Sequence, residues 1–236
     1  ADHRSGHAAK RIDCSAITQM HHAVMNMIIH DDGHTNVVAS DGLVSPEVLQ
    51  EKTGNSGFRR NSFEFIITNP PFGSVIKQTE KAYLHQYSLA TKDVDWLNPA
   101  SKAADRPSQS SEVLFIEQAE QYLADGGYLA IVLPDGILTN SSMQYVRDFI
   151  LEKFQLLAVV SLPQCAFAHF GAGVKASVVF VRKRRANEKP NGEEAIFMAA
   201  PELIGYDATG RKTESQLDEI VSKYDEFRKD ATPFFA

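Results

Sequence analysis

The sequence predicts an α/β fold built on a doubly wound, mixed sheet, and three observations carry that expectation. Three short apolar runs, Phe63–Thr68, Tyr128–Leu133 and Gln155–Leu162, are rich in β-branched and aromatic residues and alternate little, the pattern of parallel strands buried on both faces. Helix-period segments lie between them, so that strand, helix and strand recur as right-handed crossover units. A further strand-like run, Ala176–Arg182, follows the third after a short connection with no helical pattern. That length suits a loop-linked antiparallel return, which makes the sheet mixed.

Element by element, Lys10–Cys14 reads as a short strand and Ser15–Ile29 as a helix with Ile17, Met20, Val24 and Ile28 inward. Thr35–Ser40 reads as another strand and Gly42–Asn61 as irregular chain. Gly73–Gln109 is too long for a plain connection, a length that is usually functional or mobile, and is expected to hold a helix near Lys81–Ala90. Ser111–Ala124 places Leu114, Phe115, Ala119, Tyr122 and Leu123 near one helical face, and Asp125-Gly126-Gly127 supplies a glycine suited to a left-handed cap. Ser141-x-x-Gln144 is a capping-box pattern opening a helix that runs to about Phe154. Arg184–Glu194 is irregular, Ala195–Ala199 a strand, and Glu214–Arg228 a helix striped by Leu217, Ile220, Val221, Tyr224 and Phe227, either packed in the core or docked on a partner helix. The expected organisation is a partial catalytic domain over residues 1–185, with 73–109 as an insert, and a strand-and-helix appendage over 186–236.

Lys plus Arg number 24 against 30 Asp plus Glu, a net charge of -6, the wrong sign for a chain that grips nucleic acid through its whole surface. Any nucleic-acid role is then local or shared with a partner. Cys14 and Cys165 make no framework and no C-x-x-C pair, so a reducing, cytoplasmic setting is the simplest expectation. No apolar run reaches the roughly 18 residues of a membrane-spanning helix, and no membrane partner is expected. The first residues lack a signal-peptide pattern and an initiator Met, so the chain is expected to be a fragment.

Directly after the run Phe63–Thr68 comes Asn69-Pro70-Pro71-Phe72-Gly73. A Pro-Pro pair at the carboxyl end of a buried parallel strand is a stiff turn without backbone donors, placed where open α/β sheets bind ligands. This turn resembles the N-P-P-F motif of the N6-adenine DNA methyltransferases, and its surroundings resemble the modification subunit of type I restriction-modification systems. The resemblance runs from Ile12 to about Lys183 and more weakly beyond. It includes Met25-Asn-Met-Ile-Ile-His30, Ala39-Ser-Asp-Gly-Leu43, Ser110-Ser-Glu-Val-Leu-Phe115, Leu133-Pro-Asp-Gly-Ile137, Leu162-Pro-Gln-Cys-Ala-Phe167 and Gly173-Val-Lys-Ala-Ser177.

The resemblance implies a Rossmann-like, seven-stranded sheet, S-adenosylmethionine as cofactor and a flipped adenine of double-stranded DNA as substrate. The exocyclic amine of adenine is conjugated with its ring and a poor nucleophile. Two acceptors facing its N–H groups, the Asn69 side-chain oxygen and the Pro70 carbonyl, would concentrate its lone pair toward the methyl donor. Pro71 would stiffen the turn, Phe72 would stack on the extruded base, and Phe167 would form an aromatic wall of the same pocket. Asp13 matches the family's ribose acid and Asp41 the acid that contacts the cofactor adenine. A specificity subunit, and a restriction subunit beside it, are the implied partners. The family's glycine-rich first strand and loop should precede Asp13 by a few tens of residues, and twelve residues stand there. Alone, the chain is therefore expected to be inactive.

Plainer readings accompany these. Asp13 and Asp41 also suit turns or helix caps. His30-x-x-x-His34 has metal-like spacing, but Gly33 interrupts it, so a solvated loop is the simpler reading and no metal is expected. Cys165 reads as an ordinary thiol. Arg182-Lys-Arg-Arg185 is either a phosphate contact or a solvated hairpin edge. Two other functions stay open: methylation of a protein glutamine or another amine, whose enzymes favour Tyr where Phe72 stands, and a catalytically silent structural remnant.

Overall fold

The computed structural model describes residues 25, 28–29, 37–79, 82–92 and 104–235, and the chain divides into two units, residues 1–58 and 59–236. In the first unit, helix α1 (Pro46–Thr53) opens with Ser45, whose hydroxyl accepts the Val48 N–H at 3.4 Å, and with Pro46, whose missing donor costs nothing in a first turn. Gly54, at φ +67°, closes it. This helix lies inside the stretch expected to be irregular, although its Ser-Pro start and Gly stop are sequence signals. The strand expected at Thr35–Ser40 is not formed over its described part: residues 37–40 stay irregular, since an extended run becomes a strand only where a neighbour supplies ladder partners. The strand expected at Lys10–Cys14 lies outside the described residues, as does most of the helix Ser15–Ile29. Met25, Ile28 and Ile29 of that helix are helical, with Ile28 49% exposed rather than inward.

The second unit begins with β1 (Phe63–Thr68) and continues through the insert, which is stapled by two short antiparallel pairs: β2 (Val75–Lys77), β3 (Thr91–Lys92), β4 (Ala104–Asp105) and β5 (Ser108–Ser110), with β2 on β5 and β3 on β4. In place of the helix expected near Lys81–Ala90 there are two short 3-10 turns, Ala82–Gln86 and Ser88–Ala90. The reason is a competing acceptor. The buried Glu117 carboxylate accepts the N–H groups of Ser88 and Leu89 at 2.8 and 2.9 Å, donors that a continuing helix would have sent to its own carbonyls.

Helix α2 (Ser111–Tyr122) supplies that carboxylate and leads into β6 (Leu123–Pro134). Contrary to the expectation, the glycine pair does not cap α2, because Leu123 ends the helix in extended conformation. Gly126 and Gly127 instead form a bulge in β6, where Phe63 pairs with Leu123 but Phe65 pairs with Tyr128. Gly126 adopts φ +82°, and a Cβ on Gly127 would lie 2.9 to 3.1 Å from the carbonyl oxygens of Ala124, Phe63 and Glu64.

After α3 (Asp135–Thr139) and a 3-10 turn at Ser141–Met143 comes α4 (Gln144–Lys153). The intervening turn moves the helix start to Gln144, so the expected capping box is not made, and the Gln144 amide bonds Asp148 within its own helix. Then follow β7 (Phe154–Ser161), β8 (Ala176–Lys183), β9 (Phe197–Ala199), the hairpin β10 (Ile204–Tyr206) and β11 (Lys212–Ser215), and α5 (Leu217–Lys229).

The main sheet has the order β1-β6-β8-β7-β9. β8 is antiparallel to both neighbours while the outer pairs are parallel, as the loop-linked return predicts. Five strands of this sheet lie among the described residues. One face buries Leu129, Ile131, Leu133, Val179 and Val181 against Val113, Ile116 and Ala119 of α2 and Val146 and Ile150 of α4. On the other face α5 covers the β7–β9 end, where Phe227, Ile220 and Tyr224 of its stripe pack with Phe197 and Ala158, while Leu217 and Val221 of the same stripe are exposed. The rest of that face corrects the expectation of strands buried on both sides: Phe65 is 68% and Ile67 87% exposed, with Tyr128 and Phe180 also exposed.

Candidate functional site

The register places three chain turns along one end of the sheet. Thr68 pairs with Ile131, Pro134 with Ala176, and Ser161 with Ser177, so the segments after β1, β6 and β7 leave from the same carboxyl-terminal edge. This edge is where open α/β sheets place ligands.

The first turn is Asn69-Pro70-Pro71-Phe72. Asn69 is exposed, Pro70 buried, Pro71 exposed and Phe72 half-buried. Two successive prolines fix two φ angles and offer no N–H, so the middle of this turn has no backbone donors of its own. Gly73, at φ +72°, reverses the chain into β2, whose pairing with β5 brings residue 74 to the start of α2. There the Ser111 N–H donates to the Ser74 carbonyl at 2.8 Å, and the Ser111 hydroxyl donates to the Pro71 carbonyl at 2.8 Å.

The second turn begins α3. The Asp135 carboxylate accepts the Ser177 hydroxyl at 2.8 Å and its N–H donates to the Lys175 carbonyl at 3.0 Å, which ties the end of β6 to the start of β8. The third turn is the loop after β7. Lys175 Nζ donates to Ser161 Oγ at 2.7 Å and to the Leu162 carbonyl, Gln164 Nε2 donates to the Gly173 carbonyl at 2.8 Å, and the Tyr206 hydroxyl donates to the Ala166 carbonyl at 3.0 Å. Phe167 is thereby carried to Phe72, edge to face, with ring centroids 5.8 Å apart and planes at 85°. The sequence places these two aromatics 95 positions apart, and the fold brings them together.

Asp41 lies in the first unit, where its side-chain oxygen accepts the Leu43 N–H at 3.1 Å in a local turn, in keeping with its plainer reading. Asp13 and the His30–His34 pair lie outside the described residues. Among the described residues no cluster of His, Cys, Asp or Glu has the makings of a metal site, and no helix is long and apolar enough to cross a membrane. Cys165 is a half-buried free thiol.

The basic run Arg182–Arg185 matches neither sequence reading. It stands at the opposite end of the sheet, where Arg182 pairs with Tyr128 and Lys183 with Phe154, and three of its four members are engaged internally. Arg182 donates to Gln155 Oε1 at 2.7 and 3.0 Å and to Glu188. Lys183 Nζ is ringed by Asn61 Oδ1 at 2.8 Å, the carbonyls of Glu120 and Leu123 at 2.7 and 3.1 Å, and Glu120 Oε1 at 3.0 Å. Arg184 grips Glu194 with two bonds of 2.6 Å, which raise its pKa. The Arg182 side chain, then the Arg185 N–H, hold the Glu188 carboxyl down at about 2. Arg185 alone of the four is exposed.

Sequence reasoning missed Ser111, Tyr206 and the Asp135–Ser177 bond. Ser111 had a signal in the Ser-Ser pair opening α2, but nothing local says that its hydroxyl leaves the helix.

The mixed sheet thus gathers the Asn-Pro-Pro-Phe turn and a second aromatic, Phe167, at its carboxyl edge. The chain belongs to the N-6 DNA methylase family, whose model matches residues 14–236. It is 26% identical over 212 residues to the type I restriction enzyme MpnII methylase subunit of Mycoplasma pneumoniae, covering 88% of this chain and 36% of that protein. The chain thus spans about a third of the length of that curated relative. The fold is similar to a chain of a type I restriction-modification complex, with TM-score 0.56, 22% identity, and coverage of 87% of this chain and 37% of that one. It is also similar to the type I methyltransferase subunit of Streptococcus thermophilus, with TM-score 0.55, 21% identity, and coverage of 86% and 39%.

Proposed function

We propose that this chain carries the base-accepting part of an S-adenosylmethionine-dependent, site-specific adenine-N6 DNA methyltransferase of the type I modification-subunit kind. The observation that carries the reading is the meeting of Phe72 with Phe167 beside the Asn69-Pro70-Pro71 turn at the sheet's carboxyl edge. In this reading the Asn69 amide oxygen and the Pro70 carbonyl accept the two N–H bonds of the target amine, which turns its lone pair away from the ring. Exposure of Asn69 leaves its amide accessible to a base taken out of the duplex. Phe72 and Phe167 supply the apolar contact that replaces lost stacking.

When bound, S-adenosylmethionine supplies an electrophilic methyl group on its sulfonium. The acceptor chemistry of Asp41 fits the amine of the cofactor's adenine, and the Leu43 N–H restrains that carboxylate. Asp13 is assigned the ribose hydroxyls. With the two partners oriented in line, alignment and electrostatics carry the transfer without a covalent enzyme intermediate. The charge of -6 accords with DNA reading by a specificity subunit, with a restriction subunit as a further partner.

The test is transfer of a labelled methyl group to host-sequence DNA by the full chain assembled with its specificity subunit. Asn69→Ala is expected to lower kcat by roughly 100-fold or more while DNA binding persists. An unchanged kcat in this variant, or label found on protein glutamine rather than adenine, would refute the reading.

A further inference from the structure

We infer that Ser111 is a positioning residue for the Asn-Pro-Pro-Phe turn, its hydroxyl fixing the Pro71 peptide and, through it, the ring of Phe72. The inference rests on the proposed role of that turn. The proline rings set φ at positions 70 and 71 but leave ψ of Pro71 to be decided by where its carbonyl points. That carbonyl is held by Ser111 Oγ at 2.8 Å, across forty positions of sequence; Ser111 is 2% exposed, and the other acceptor near its hydroxyl, Glu112 Oε2, is farther off at 3.4 Å. The peptide so fixed is the one that launches Phe72.

A serine at a helix start ordinarily turns its oxygen inward to accept an N–H of the first turn. Here α2 has no side-chain cap: its N-cap residue is Ser110, and the Ser111 hydroxyl donates outward to the turn. The Ser111 backbone bonds the same segment a second time, through Ser74, and the β2–β5 pairing leads directly to it. Helix α2 is itself seated in the core by Val113, Leu114 and Ile116, all fully buried, so the turn is tied to a rigid element. Ser110 offers a matched comparison. Its hydroxyl oxygen is buried and has no hydrogen-bond partner, so replacing it removes an equal volume but breaks no bond to the turn.

The experiment places 4-fluorophenylalanine at position 72 of the full chain and records its fluorine resonance in wild type, Ser111→Ala and Ser110→Ala. Ser111→Ala is expected to shift or split the line, with Ser110→Ala leaving it in place. A line that Ser111→Ala does not move, or that both substitutions move alike, would overturn the inference. In the assembled enzyme without the label, Ser111→Ala is expected to lower kcat by about 10- to 100-fold with the KM for DNA within about threefold, because a misplaced turn harms alignment more than binding. An unchanged kcat would overturn the positioning role. A wild type that transfers no methyl group, beside a line that still responds to Ser111→Ala, would instead remove the adenine-methylation reading and leave the tether standing.

Discussion

At the scale of single residues, Asn69 stands apart from the polar groups around it and from those at the sheet's opposite end, most of which are paired within the fold. At the carboxyl edge Asn69 keeps its amide exposed, while at the other edge Lys183 and Arg184 spend their charge on internal partners. Glu188 belongs to that second set, and its carboxyl titrates at about 2 in the fold against an ordinary 4.5. A depressed carboxylate stabilises the fold fully above its unfolded pKa, and the contribution is lost as pH falls from there through the folded value. Wild type is therefore expected to exceed Glu188→Gln in urea midpoint by more near pH 6 than near pH 3. An equal gap at both would contradict the assignment. The Asn69–Phe72 motif was legible because its chemistry is written in adjacent letters. Ser111, Tyr206 and the Lys183–Glu120 pair were not, because each partner arrives from a distant part of the chain, and the Arg182–Glu188 and Arg184–Glu194 pairs form across an irregular turn whose path no local pattern sets.

At the scale of elements, boundaries were decided by partners that sequence windows do not contain. The apolar runs and the antiparallel return announced β1, β6, β7 and β8, since their side-chain types suit a pleated sheet wherever they pair. The insert's helix was lost to an acceptor on α2, and the glycine pair went to a bulge because β1 runs alongside it. The bulge gives a direct test. Three carbonyl oxygens lie where a Cβ on Gly127 would go, two of them on β1, so neither strand yields without breaking the ladder. Gly127→Ala is expected to cost roughly 1–3 kcal/mol in urea unfolding, and a variant as stable as wild type would refute this account of the bulge.

For the molecule as a whole, the asymmetry of the sheet matters more than its strand count. Among the described residues of the second unit, one face is closed by α2 and α4, and the other is closed by α5 only near β7 and β9. Apolar composition announced the strands but not which of their faces would be covered, because coverage depends on what else packs there. Leu133 on the closed face and Ile67 on the open one should therefore respond differently. Leu133→Ala is expected to cost about 2–5 kcal/mol, whereas Ile67→Ser should stay within about 0.5 kcal/mol of wild type. Equilibrium urea unfolding of both variants would check this, and comparable losses would show that the open face is buried in solution.

The placement of β8 also has a consequence in time. Among the described residues β7 pairs with β8 and β9 only, and both are made after it. During vectorial synthesis the ribosome therefore releases β6 and β7 with no bond between them, and each presents a bare edge until β8 slides into the gap. The middle of the sheet is thus filled before β9, made later still, adds at its outer edge, so the strands do not join in the order in which they lie.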